Sequence, residues 1–174
     1  DQKLMMEVNT DATGRLLRHA IANNITFIYA SSAAVYGNAP APQKEKDAGK
    51  PNNIYGASKW AVDCMAKKEI EENKGAKIVG LRYFNVFGPR EGYKKDMASM
   101  VWKLSQQMKG GKQPRIFKMG QQKRDQVYVR DVVRANILAW KSGKSGVVNV
   151  GSGRATTFNE IIANLNRVLG TDLK

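Results

Sequence analysis

Apolar residues recur along the chain with two periods, and the segments between them are rich in Gly, Pro, Asn and Lys. Helical spacing over about 5–22 gives way to Ile25-Thr26-Phe27-Ile28-Tyr29-Ala30, which reads as a strand over 25–30. A Pro- and Lys-rich loop at 38–53 separates it from a helix over 55–73, and strand 77–83 follows. Residues 85–96 read as a loop, 97–109 as a helix closed by Gly110-Gly111, and 114–118 and 126–129 as short strands. Helix 131–141, strand 147–150 and helix 157–169 complete the series, the last capped by Thr156 or Thr157. Helices alternating with strands predict an α/β fold with a doubly wound parallel sheet and helices on both faces. No internal repeat or low-complexity tract interrupts it.

Composition narrows the class. The 174 residues are 42% hydrophobic and 25% charged, as in an ordinary soluble domain. No apolar stretch approaches the ~18–20 residues that span a bilayer, and none resembles a signal peptide. Cys64 is the only cysteine, which excludes an internal disulfide and a cysteine metal cluster; its place beside Trp60, Ala61 and Met65 predicts a core position. His19 reads as a helix-surface residue, and a lone histidine does not argue for a metal. The net charge of +14 would suit nucleic acid, an anionic membrane or phosphorylated small molecules. Lys and Arg are scattered, however, in runs no longer than pairs such as Lys67-Lys68 and Lys94-Lys95, and no nucleic-acid-binding signature is present. The expectation is a solvated basic surface with a few phosphate-binding residues, and neither nucleic acid nor membrane as partner.

Candidate chemistry centres on Tyr55 and Lys59. Their spacing sets a phenol and an ammonium on one helical face, a turn apart. A neighbouring ammonium favours the ionised form of a phenol, and a phenol so tuned can exchange a proton with a sugar hydroxyl. Ser31-Ser32 ends the first predicted strand, where α/β sheets bind ligands. Alone, Tyr-x-x-x-Lys is a weak signal, because many helices carry the pair for packing and solvation. Three motifs in order strengthen it: Ser31-Ser32-Ala33-Ala34-Val35-Tyr36-Gly37, Tyr55-Gly56-Ala57-Ser58-Lys59, and Arg82-Tyr83-Phe84-Asn85-Val86-Phe87-Gly88-Pro89-Arg90.

Together these resemble the extended short-chain dehydrogenase/reductases, the nucleotide-sugar epimerases and dehydratases. Gly88-Pro89-Arg90-Glu91-Gly92-Tyr93-Lys94-Lys95-Asp96-Met97-Ala98-Ser99, with the stretches 117–132 and 149–155, is most similar to the ADP-L-glycero-D-manno-heptose 6-epimerase family. The resemblance implies a Rossmann-like sheet lacking its N-terminal part, about the first quarter, and a C-terminal piece as well. It assigns 1–90 to the dinucleotide-binding domain and 91–174 to a smaller substrate-binding region interleaved with the last Rossmann elements at about 126–150. A glycine-rich turn at Gly151-Ser152-Gly153 does not fill the missing place: Thr156 stands where a third glycine belongs, and the turn reads as a strand–helix connection.

The same resemblance implies roles. Tyr55 and Lys94 are the two acid/base groups, with Lys95 as the register alternative; Lys59 holds the nicotinamide ribose; Ser32 hydrogen-bonds the reacting oxygen or Tyr55. Asn9, Ser31 and Val86 join Tyr55, Lys59 and Lys94 around NADP, with NAD as the other option. Asn85, Asp96, Lys103, Phe117, Lys118, Met119, Gly120 and Arg124 join Ser32 around an ADP-heptose. Asp96 and Lys103 depart from the family's usual small or hydroxyl residue and His. A homo-oligomer in the bacterial cytoplasm is implied, and no metal. UDP-hexose 4-epimerases are the nearest rival. Ala33-Ala34 argues against a dehydratase, which wants an acidic pair there. A non-catalytic nucleotide- or RNA-binding relative would be favoured by loss of Tyr55 or Lys59, and both are present.

Overall fold

A computed structural model describes residues 1–173, without the side chain of Lys118. In chain order the elements are α1 (Gln2–Met6), a π-helical turn (Glu7–Asp11), α2 (Ala12–Ala22), β1 (Phe27–Ser32), α3 (Ile54–Glu72), β2 (Ile78–Tyr83), β3 (Asn85–Phe87), α4 (Met100–Lys109), β4 (Lys123–Tyr128), α5 (Val129–Ser142), β5 (Gly146–Val150), β6 (Ala155–Thr157) and α6 (Phe158–Leu169). Short 3₁₀ turns occupy 33–36, 45–47, 92–97 and 118–120. The chain divides into two compact units: residues 1–83 with 133–150, and residues 84–132 with 151–174.

The first unit is built on a parallel sheet ordered β1-β2-β5. Its core joins Leu17 of α2, Tyr29 of β1, Val62 and Ala66 of α3, and Ile78 of β2. β2 is buried along nearly its whole length, as a strand covered on both faces must be. At its centre Arg82, fully buried, donates from Nε to Asp63 Oδ2 at 2.8 Å and from Nη1 to Tyr36 and to the Glu45 carbonyl. Tyr29 donates to the other oxygen of Asp63 at 2.9 Å, and its phenol is pushed far up by burial and then by that carboxylate. Removing one member of a buried ion pair costs about 3–5 kcal/mol, because its partner stays buried and charged.

The second unit carries a small mixed sheet. β3 pairs parallel with β4, which pairs antiparallel with β6. Leu104 and Met108 of α4 pack on Phe158, Ile161 and Ile162 of α6. α6 begins in a capping box: Thr157 accepts from the Glu160 amide while Glu160 accepts from the Thr157 amide and hydroxyl.

The predicted alternation is present, with five differences, one being that Ala155–Thr157 forms β6, antiparallel to β4, where no strand was expected. The first helix is interrupted by the π turn. Asn85–Phe87 is a strand, because β4 offers it a partner. No strand forms at 114–118: Pro114 has no amide to donate, and Ile116 instead packs against the α4–α6 core. Cys64 is exposed, because α3 buries Ser58, Val62, Asp63 and Ala66, and at about 100° per residue position 64 turns away from that face. Among the described residues, no helix is long and apolar enough to cross a membrane and no group of acids, His and Cys could hold a metal.

Candidate active site

In the first unit, α3 starts where the sequence set Tyr55. Asn53 caps it, its side chain accepting the Gly56 amide at 2.8 Å. The first turn of α3 lies hard against the 3₁₀ turn after β1: a methyl on Gly56 would stand 2.6 Å from the Ala34 carbonyl oxygen. Glycine is therefore what lets the turn bearing Tyr55 approach the one that begins at Ser32. Ser32 caps that 3₁₀ turn, accepting the Ala34 amide at 3.1 Å. Next to it, the Ser31 hydroxyl is buried and finds no hydrogen-bond partner among the described residues.

Tyr55 and Lys59 share a face, as their spacing demands. The Lys59 ammonium stands 6.0 Å from the Tyr55 ring centroid, and Tyr55 is 41% exposed. Lys59 is half-buried; burial lowers its pKa, and the Asp63 charge opposes that in part. Asn9 is not a cap. It lies within the π turn and donates to Ser58 Oγ at 3.1 Å, while Ser58 donates to the Tyr55 carbonyl at 2.8 Å. Thr10 donates to the Ser58 carbonyl, so the π turn is stitched to the turn of α3 that bears Tyr55. π turns inside helices are frequent at functional sites.

In the second unit, a recess of about 280 Å³ is lined by Asn85, Val86, Phe117 and Arg124, together with Ser99, Met100, Gln122, Gln126 and Phe158. Four predicted ligand-binding residues thus meet there. Asn85 is fixed by its bond to the Asp125 carbonyl, and Arg124 reaches the Lys123 carbonyl. Phe117 and Met119 are highly exposed on a turn held by Asn159, which donates to the Met119 carbonyl. Gly120 is buried at φ 72°, a conformation suited to glycine. The Lys118 side chain lies outside the described residues. Asp96 and Lys103, the two departures from the family pattern, meet each other: the Lys103 ammonium donates to the Asp96 carbonyl.

Lys94 stands on the 92–97 turn, its ammonium 3.9 Å from Glu91 Oε2. Lys95 beside it has φ 48°, a left-handed conformation uncommon for a non-glycine residue. Glu91 is the residue that sequence reasoning missed. It is 4% exposed and accepts from the amides of Gly88 and Ser99 and from the Ser99 hydroxyl. Burial pushes its pKa up; the bonds from Ser99 and Gly88 and the Lys94 charge outweigh this and hold it below the ordinary carboxylate range. Its only signal in sequence was its place in the Gly-Pro-Arg-Glu-Gly run. Gly151-Ser152-Gly153 is occupied by a side chain of its own unit: Asp125 accepts the amides of Ser152 and Gly153 and the Ser152 hydroxyl.

Residues 1–151 match the NAD dependent epimerase/dehydratase family. The chain belongs to that family. Among solved structures it is similar to the Helicobacter pylori ADP-L-glycero-D-manno-heptose-6-epimerase, at 43% identity and a TM-score of 0.91 over 99% of this chain and 55% of that one. The UDP-N-acetylglucosamine 4-epimerase of Methanobrevibacter ruminantium, in complex with UDP-N-acetylmuramic acid, is 37% identical with a TM-score of 0.88, over 96% of this chain and 54% of that one. The UDP-glucose 4-epimerase of Thermotoga maritima, with UDP-glucose, is 32% identical with a TM-score of 0.90, over all of this chain and 57% of that one. This epimerase/dehydratase-family chain spans about half the length of the solved structures it matches, and its α/β fold is theirs.

Proposed function

We propose that the protein of which this chain forms part is a nucleotide-sugar epimerase of the ADP-heptose 6-epimerase type. It would invert C6″ of ADP-D-glycero-D-manno-heptose through a transient 6-ketone, in the bacterial cytoplasm, for the core of lipopolysaccharide. NADP is the cofactor we favour, with NAD the alternative, and the working form is a homo-oligomer. Residues 1–90 would serve the dinucleotide, and 91–174, apart from the last Rossmann elements, the substrate.

The observation that carries this reading is the pairing of Tyr55 and half-buried Lys59 on one face of α3, in a turn packed against the one that Ser32 caps. The 43% identity to a heptose epimerase favours that substrate over a UDP-hexose. The residues present fit a nicotinamide nucleotide. A buried Ser31 hydroxyl lacks a partner among the described residues, and Lys59 and Asn9 offer donors around the Tyr55 turn. Lys59 would hold the nicotinamide ribose, and Asn9, Ser31 and Val86 would each contribute to binding the same cofactor. When bound, that cofactor supplies reversible two-electron oxidation of the carbinol carbon.

The chain's own residues move the proton. C6 lies outside the sugar ring, so its carbonyl can present either face after rotation about C5–C6. The oxygen then points in two directions within one turnover, and one acid/base group would be misplaced for half of it. Tyr55 would take the hydroxyl proton in one half-reaction and Lys94 would return one in the other. Exchange with solvent then removes the proton from Tyr55 and restores the one on Lys94, which closes the cycle. Ser32 would hold the reacting oxygen. Asn85, Phe117, Lys118, Met119, Gly120 and Arg124 would hold the nucleotide sugar, Arg124 as a fork for the diphosphate, with Asp96 and Lys103 at the heptose end.

The test is to incubate the full-length protein separately with both ADP-heptose epimers and with UDP-hexoses, and to follow stereochemistry by NMR. Inversion at C6″ is expected. Inversion of a ring C4 would replace this reading with the UDP-hexose one, and no turnover of either would end it. Tyr55→Phe and Lys94→Met should each cut epimerisation severely while leaving cofactor bound, and the double variant should be little worse than the weaker single.

A further inference from the structure

Four groups converge on one buried carboxylate in the loop after β3. Glu91 accepts the Gly88 amide at 3.0 Å, the Ser99 amide at 2.7 Å and the Ser99 hydroxyl at 2.8 Å, and it faces the Lys94 ammonium. Gly88 ends the passage from β3, and Ser99 caps α4. One side chain therefore fastens both ends of a loop whose residues Gly92 through Met97 are all exposed. The loop's other bonds, the 3₁₀ turn and the Lys103 ammonium on the Asp96 carbonyl, lie within it or bind its far end. The ammonium lies 3.9 Å from the carboxylate, within ion-pair range but longer than a hydrogen bond. A carboxylate at that distance orients the charge without taking a donor from it. Of the adjacent lysines, Lys94 and not Lys95 makes the ion pair with Glu91.

We propose that Glu91 is the positioning residue for Lys94: the hydrogen bonds lock its carboxylate, and the locked carboxylate aims the amine and selects Lys94 over Lys95. This rests on the reading of Lys94 as an acid/base group. Ordering a lysine costs rotamer entropy that an exposed loop cannot offset alone. A carboxylate fixed on three donors can, because its own position was settled when the loop folded.

The experiment is a double-mutant cycle in the full-length enzyme, with Glu91→Gln, Lys94→Met and the pair, reading kcat and KM. Acylation of Lys94 relative to Lys95 by acetic anhydride, followed by peptide mass spectrometry, reports on the amine itself. Glu91→Gln should lower kcat by about 10–100-fold with KM little changed. It should raise Lys94 acylation relative to Lys95 and add nothing further once Lys94 is Met. An equal factor in both backgrounds, or unchanged acylation, would overturn the proposal and leave Lys94 its role. Near-native turnover of Lys94→Met would instead remove the acid/base reading, and this inference with it. Should Glu91→Gln not fold, Glu91→Asp keeps the charge and shortens its reach; it should lose part of kcat only where Lys94 is present.

Discussion

Two helices of the second unit begin in the same hydrogen-bond pattern, built in opposite ways. At α6, Glu160 accepts the amide and hydroxyl of Thr157, three residues before it, at a partly exposed position. At α4, Glu91 accepts the amide and hydroxyl of Ser99, eight residues after it, and is buried. Both carboxyls lie below the ordinary range. For Glu160 the causes begin with the Thr157 bonds; for Glu91 those bonds must first overcome burial. The local cap only starts a helix. The distant one also gathers Gly88 and Lys94, so it fixes a loop, and that loop is where the proposed chemistry needs order.

The largest expected difference comes from truncating the two acids. Glu91→Ala leaves three part-buried donors without their acceptor and should cost about 1–3 kcal/mol of stability. Glu160→Ala should cost clearly less, since water can reach this partly exposed cap and replace the carboxylate. Chemical denaturation of the full-length protein compares them, and equal losses would erase the distinction. Acid should expose the same asymmetry. Because the folded Glu91 carboxyl lies below its unfolded value of about 4.3, its stabilisation is fully present above that pH and fades as pH falls through the folded value. Wild type should therefore lose stability on acidification more steeply than Glu91→Gln, as denaturation midpoints between roughly pH 6 and 3 would report.

The caps themselves should differ less. Thr157→Ala should cost about 1 kcal/mol, the ordinary value of an N-cap. Ser99→Ala should cost about 1–2 kcal/mol, because it also strips a donor from a buried carboxylate. Comparable losses would mean that the Glu91 contact adds nothing to the cap. Smallest of all, Arg154→Gln should leave the thermal midpoint unmoved. Its pair with Glu160 is 3.3 Å long but mostly in water.

How far the site was legible follows the same division. Tyr55 and Lys59 were readable because four residues make one helical turn wherever the helix lies. A threonine cap on the last helix was readable too, as Thr156 or Thr157, and the structure selects Thr157. Asn85, Val86, Phe117 and Arg124 came from motif resemblance, and their shared recess in the second unit depends on a loop no periodicity describes. Cys64 was misplaced because its neighbours' hydrophobicity suggested a face that α3 does not bury. Asn9 was named from motif resemblance as a cofactor residue, but its bond to Ser58 was not legible, since a π turn leaves no mark in hydrophobic spacing.

What the chain determined by itself is what backbone geometry settles within a few residues: the alternation of helices and strands, the face shared by Tyr55 and Lys59, and a threonine cap at 156 or 157. Tertiary structure decided which strands pair, which turn Gly56 admits against Ser32, and which buried carboxylate faces exposed Lys94. The reason is range. A helical turn is closed by neighbours on the chain, whereas a buried acid is bearable only after distant amides have arrived to satisfy it.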